Sequence, residues 1–137
     1  MKMNMLKGFT LVELIIVMVL LGILAAVAIP KMGNTISSSE EATEDAIIAA
    51  LKSAVEMYAM DQVVANSVKS YPDNPFDELD KSPVGYSGVG SLSNVDGEWV
   101  FYDDGISNYV AHQRNDNNKY KWNYDISSGT FGDRVAY

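Results

Sequence analysis

From Phe9 to Ile29 the chain reads FTLVELIIVMVLLGILAAVAI, 21 residues that contain a single charge, Glu13. A helix of that length spans roughly 30 Å, the thickness of a bilayer core. Polar residues then enter the pattern. Over residues 31–65, Ile36, Thr43, Ile47, Ala50, Leu51, Ala54 and Tyr58 fall at helical spacing. Glu40, Glu41, Glu44, Asp45, Lys52 and Glu56 fill much of the remainder. The pattern predicts one long helix whose apolar half, 9–30, continues into an amphipathic half, 31–65. The stripe of the second half should pack on a sheet, with Met57, Tyr58 and Met60 in the core. Ser37, Ser38 and Ser39, with acids three residues on, also fit a fresh helix cap. A bend or weak point is therefore expected between Pro30 and Ser39.

Residues 66–97 carry Pro72, Pro75, Pro83 and scattered glycines, and read as an exposed connecting loop. Three stretches then alternate and favour aromatic or β-branched side chains: 98–103 (EWVFYD), 107–113 (SNYVAHQ) and 119–126 (KYKWNYDI). A turn at 127–129 leads into 130–137. Residues 98–137 thus predict an antiparallel meander of three to four strands against the helix, giving an α+β fold.

Charge sharpens this picture. The 137 residues carry a formal net charge of −8. Without residues 1–8 there remain 8 basic and 18 acidic residues, a net of −10. So acidic a surface argues against a phosphate-backbone partner. Lys2 and Lys7 precede the apolar run, which places the N-terminus in the cytoplasm and sends residues 31–137 across the membrane. The chain has no cysteine and one histidine, His112, which excludes disulfides, thiolate chemistry and multi-histidine metal sites.

Glu13 is the odd residue. A carboxylate inside an apolar span is costly and marks a functional position. Neither a secretory signal peptide ending near LAAVA (24–28) nor a plain anchor explains it. Residues 7–30, KGFTLVELIIVMVLLGILAAVAIP, resemble the class III signal segment of type IV pilins and pseudopilins. The resemblance lies in the short basic leader, Gly8, Phe9, Glu13 and the closing Pro30. It implies that residues 1–8 are a leader, that prepilin peptidase cuts between Gly8 and Phe9, and that the new Phe9 amine is N-methylated. It further implies that Glu13 meets the amine of an adjacent subunit during assembly.

Physical chemistry supports those implications. Gly8 has no side chain to keep a protease from its carbonyl. An amine created at Phe9 and then buried among helices needs a partner, and Glu13 is the acid at hand. Within one helix Glu13 lies about one turn from Phe9, and it also complements the helix dipole. Gly22 and Pro30 weaken the helix by roughly 1 and 3 kcal/mol relative to alanine. The resemblance implies that the stretch between them loses helical structure in a fibre, while Gly22 also permits close helix packing.

The resemblance implies a structural subunit, a major type IV pilin, whose main partner is itself. Its other partners would be prepilin peptidase and an inner-membrane assembly platform with its ATPase. The precursor would sit in the inner membrane and the product in an extracellular pilus. The near alternative is the major pseudopilin of a type II secretion system, in a periplasmic piston-like filament. A membrane-anchored binding domain or enzyme that never polymerises is the alternative of another class.

Chemistry elsewhere is sparse. His112 sits in a strand-like run without a nucleophile motif, and GYSGVGSL (85–92) has the glycines of a phosphate loop but no lysine and no following helix. No enzyme is expected and no cofactor is required. Acid-rich turns offer oxygens to calcium, which takes about six to eight. Asp116, Asp125 and Asp133 are the calcium candidates, set against the plain expectation that such turns are solvated.

Overall fold

The structure is a computed structural model and describes residues 8–137. The leader positions 1–7, with Lys2 and Lys7, lie outside the described residues. The described chain falls into two compact units that divide after Ser39.

Helix α1 runs Leu11–Asn66, 56 residues, with Pro30 inside it. In the first unit every described side chain from Gly8 to Ile36 is exposed. Its helix is long and apolar enough to cross a membrane. The serines do not start a new helix. Ser38 Oγ donates to the Asn34 carbonyl at 3.0 Å, Ser39 Oγ to Thr35 at 2.9 Å, and Thr35 Oγ1 to Lys31 at 3.1 Å. Each hydroxyl bonds one turn back, which lets a polar residue remain inside a helix instead of capping one.

In the second unit, residues 40–137, α1 buries Glu44, Ile48, Leu51, Ala54, Val55 and Ala59. The stripe is rotated from the expected one. Leu51 and Ala54 are buried, Ile47 and Tyr58 are half-buried, and Thr43 and Ala50 are exposed; Ile36, in the first unit, is exposed too. The reason is Glu44: the buried stripe begins on an acid, which a count of apolar residues passes over. Met57 and Met60 are likewise not core, being 70% and 61% exposed.

The span 66–97, expected as loop, holds two elements. A 3-10 turn, η1, covers Pro75–Glu78. Asn74 caps it by accepting from the Phe76 amide at 3.1 Å, with proline pre-set at the first position. Strand β1 covers Tyr86–Val89 and pairs parallel to β2, Trp99–Asp103. Then follow β3 (Asn108–Gln113), β4 (Lys119–Asp125), β5 (Thr130–Phe131) and β6 (Val135–Ala136). The sheet therefore has six strands in the order β1-β2-β3-β4-β5, with β6 on β4. It is mixed, not an antiparallel meander of three or four strands. The excess arises because residues 130–137 make two short strands, and because the four-residue β1 is too short to show alternation.

The core lies between α1 and one face of the sheet. Ile48, Leu51 and Val55 meet Phe76, Trp99, Phe101, Val110, Trp122 and Tyr124. Trp99 and Trp122 stack at 5.9 Å. The Tyr71–Pro72 pair is held from the sheet: Tyr124 donates its hydroxyl to the Pro72 carbonyl at 2.8 Å. Burial pushes the Tyr124 hydroxyl above the ordinary tyrosine range.

Candidate functional site

Two sites emerge, one in each unit. The first is the start of α1. Thr10 immediately precedes the helix and Glu13 is its third residue. The Thr10 amide donates to Glu13 Oε2 at 2.8 Å and the Thr10 hydroxyl donates to the same oxygen at 2.8 Å. The Glu13 amide in turn donates to Thr10 Oγ1 at 3.2 Å. This is a reciprocal capping box, which satisfies donors that every helix start leaves bare. Glu13 thus has a local partner in the isolated chain. The T-x-x-E spacing at 10–13 signals this box, and reading Glu13 only against the helix dipole overlooks Thr10.

Gly8 and Phe9 stand in the open. Phe9 is 92% exposed, and a side chain built at Gly8 would meet nothing within 4 Å. The same holds at Gly22, so that stretch of helix surface is free to receive another helix. Nothing on the first unit covers Leu14, Ile16 or Val17, which flank Glu13 on the helix. An uncovered apolar surface of this extent marks contact with lipid or with another protein surface.

The second site is a charge cluster at the start of the buried stripe. Glu44 has no solvent exposure. Arg114, at the end of β3, reaches it with a two-point grip: Nε donates to Oε1 at 2.8 Å and Nη2 to Oε2 at 2.7 Å. His112 Nδ1 lies 2.9 Å from Oε1 and must carry the hydrogen, because a carboxylate only accepts. The His112 ring stacks on Trp99 at 4.3 Å. Arg134, just before β6, adds an ion pair at 3.2 Å to Oε2 and also reaches Glu41 and Asp45. Burial alone would raise the Glu44 carboxyl, but the bonds from Arg114 and His112 outweigh it and hold it below its ordinary value.

In this cluster Glu44, His112 and Arg114 are all buried. The cluster clasps helix, β3 and the C-terminal strand together. Sequence reasoning placed His112 in a strand, as found, but missed the cluster. The signal was an acid on the helical stripe, four residues before Ile48 and seven before Leu51.

The calcium candidates are not brought together. Asp116 turns inward on its own hairpin, accepting from the Asn118 amide and side chain at 3.0 and 2.7 Å. Asp125 accepts from the Ser127 amide and hydroxyl at 2.9 and 2.6 Å. Asp133 lies between β5 and β6. Among the described residues no group of three or more histidine or acidic side chains is placed to hold one ion.

Comparison with known proteins points to the N-terminal element. Residues 3–29 match the family model of the prokaryotic N-terminal methylation motif. The chain is 39% identical over 85 residues to the type IV narrow pilus major component of Thermus thermophilus, covering 62% of this chain and 66% of that one. It is 48% identical over 54 residues to the type IV major alpha-pilin of Moraxella bovis, covering 39% and 34%. It is 34% identical over 83 residues to the type II secretion system core protein G of Vibrio cholerae, covering 61% and 54%. The chain thus spans between 34% and 66% of the length of these relatives. No solved structure matches it.

Proposed function

We propose that this chain, which belongs to the type IV pilin and pseudopilin superfamily, is a major structural subunit that polymerises through the apolar half of α1 into a helical filament. The observation that carries the reading is an apolar run uncovered from Phe9 to Ile29, helical from Leu11, with one acid near its start. A prepilin peptidase cuts between Gly8 and Phe9 and leaves a cationic, N-methylated amine at Phe9. The precursor waits in the inner membrane with its N-terminus in the cytoplasm. An assembly platform and its ATPase extract it, and the apolar helices bundle in the filament core. The protein is a building element, not an enzyme.

Glu13 changes partner in this scheme. In the isolated chain Thr10 satisfies it, at 2.8 Å from both the amide and the hydroxyl. In the bundle it meets the Phe9 amine of a neighbour. A charge carried into the bundle then has a counter-charge, and the pairing fixes the axial stagger of each incoming subunit. The pseudopilin reading is supported by the likeness to core protein G over 83 residues, an extent that the narrow pilus component matches over 85. In that case the filament is periplasmic.

Glu13→Ala tests the scheme. The variant should be inserted, should fold in residues 40–137 as the parent does, and should yield about tenfold less sheared filament or none. Filament at the parental level from Glu13→Ala would remove the pairing role.

A further inference from the structure

Residues 40–137 carry two surface patches of opposite charge. On the face of the sheet turned away from α1, Tyr102 of β2 stands opposite Tyr109 of β3, their ring centroids 6.1 Å apart. Lys121 of β4 sets its Nζ 4.2 Å over the Tyr109 ring and 5.7 Å from that of Tyr137. Lys119 lies 5.9 Å from Tyr137 on the same face. All five are at least partly exposed. Alternation along β4 assigns the face: Trp122 and Tyr124 point into the core, so Lys119 and Lys121 point out.

The other cations are spent or scattered. Arg114 and Arg134 are neutralised by Glu44, Glu41 and Asp45, and Lys69 pairs with Glu56. Lys119 and Lys121 therefore form a tyrosine-lined basic patch, bordered at Tyr102 by Asp104, on a chain whose residues 9–137 carry a net charge of −10.

The second patch is a groove of about 340 Å³ on the helix layer, lined by Met57, Tyr58, Asp61, Glu78, Leu79 and Asp80 among others. Met57 is 70% exposed there. Asp61 and Asp80 are exposed and enter no ion pair among the described residues. The groove offers what the sheet patch lacks. Its carboxylates suit two ammonium groups, and its methionine suits the edge of a tyrosine ring.

Within one copy these patches lie on different layers and cannot meet. The geometry points to a contact between copies, in which Lys119, Lys121, Tyr109 and Tyr137 of one subunit dock in the Met57–Asp61–Asp80 groove of the next. This deepens the polymerising reading above and rests on it. The contact is heterologous, each subunit offering its sheet to one neighbour and its groove to another, as repetition along a filament requires. It also sets attractive contacts between domains whose net charge would otherwise drive them apart.

Sheared filaments treated with a zero-length carbodiimide crosslinker test the contact. Peptides joining Lys119 or Lys121 to Asp61, Glu78 or Asp80 should appear in filaments and vanish in detergent-dispersed subunits. The double variant Lys119→Glu/Lys121→Glu should melt like the parent yet give about tenfold less filament, and adding Asp61→Lys/Asp80→Lys should restore the yield. Filaments that lack these crosslinks, that crosslink the two lysines to another protein, or that form normally from the double variant overturn the inference. A parent chain that forms no filament at all removes the polymerising reading first, and the contact falls with it.

Discussion

Glu44→Ala should destabilise residues 40–137 by about 3–5 kcal/mol, because it leaves the buried Arg114 guanidinium without its carboxylate. Thermal melting should record a fall in Tm of roughly 15 °C. The cost is large because Glu44 is fully buried and serves Arg114, His112 and Arg134 at once. Combining Glu44→Ala with Arg114→Ala should cost much less than the sum of the two single changes, since each removes the other's partner. The cluster also fixes a pH dependence. The native state holds the Glu44 carboxyl below its ordinary value of 4.5. Its stabilising effect is then complete above that unfolded value and is lost as pH falls through the native one. Acid unfolding should be shallower in Glu44→Ala than in the parent. A Tm unchanged by the substitution would contradict the cluster's role as the clasp between helix and sheet.

Gly129→Val should be a severely damaging change outside that cluster. Gly129 sits at φ +66°, and a Cβ there would lie 2.2 Å from Tyr71 Cδ1 and 2.4 Å from Cε1. The Tyr71 ring is packed against the core, so it cannot swing away freely. Backbone strain and collision together should cost about 3–5 kcal/mol. Gly88 is the matched control. It too has positive φ, at +102°, but nothing lies within 4 Å of its Cβ position. Gly88→Val should therefore show the strain alone, roughly 1–2 kcal/mol. Equal denaturation midpoints for the two variants would show that the Tyr71 contact does not matter.

The parts legible from sequence were those written in periodicity and in local turn chemistry. The apolar run announced the first half of α1, and alternation placed β2, β3 and β4 within about a residue of their ends. Gly129 marked the turn before β5 and has the positive φ such a turn needs. The hidden parts depend on distant partners. Strand β1 exists only because Tyr86 and Val89 find Trp99 and Phe101 alongside, and four residues beside glycines carry no pattern of their own. Glu44 looked like surface because an acid on a helix usually is. Its burial is decided by Arg114, 70 residues away. The N-terminal element shows the same division. Glu13 stood out by composition, whereas its capping box with Thr10 needed the helix start to be located first.

The central claim is that the chain begins, after cleavage, at a charged Phe9 and that its apolar helix is built into a filament. Intact mass and N-terminal fragment spectra of protein sheared from the cell surface, or recovered from a periplasmic filament, test it directly. The account predicts a chain that starts at Phe9 with a methylated amine. A filament-free preparation whose chain still starts at Met1, or one cut after Ala28 at the far end of the apolar run, would contradict it.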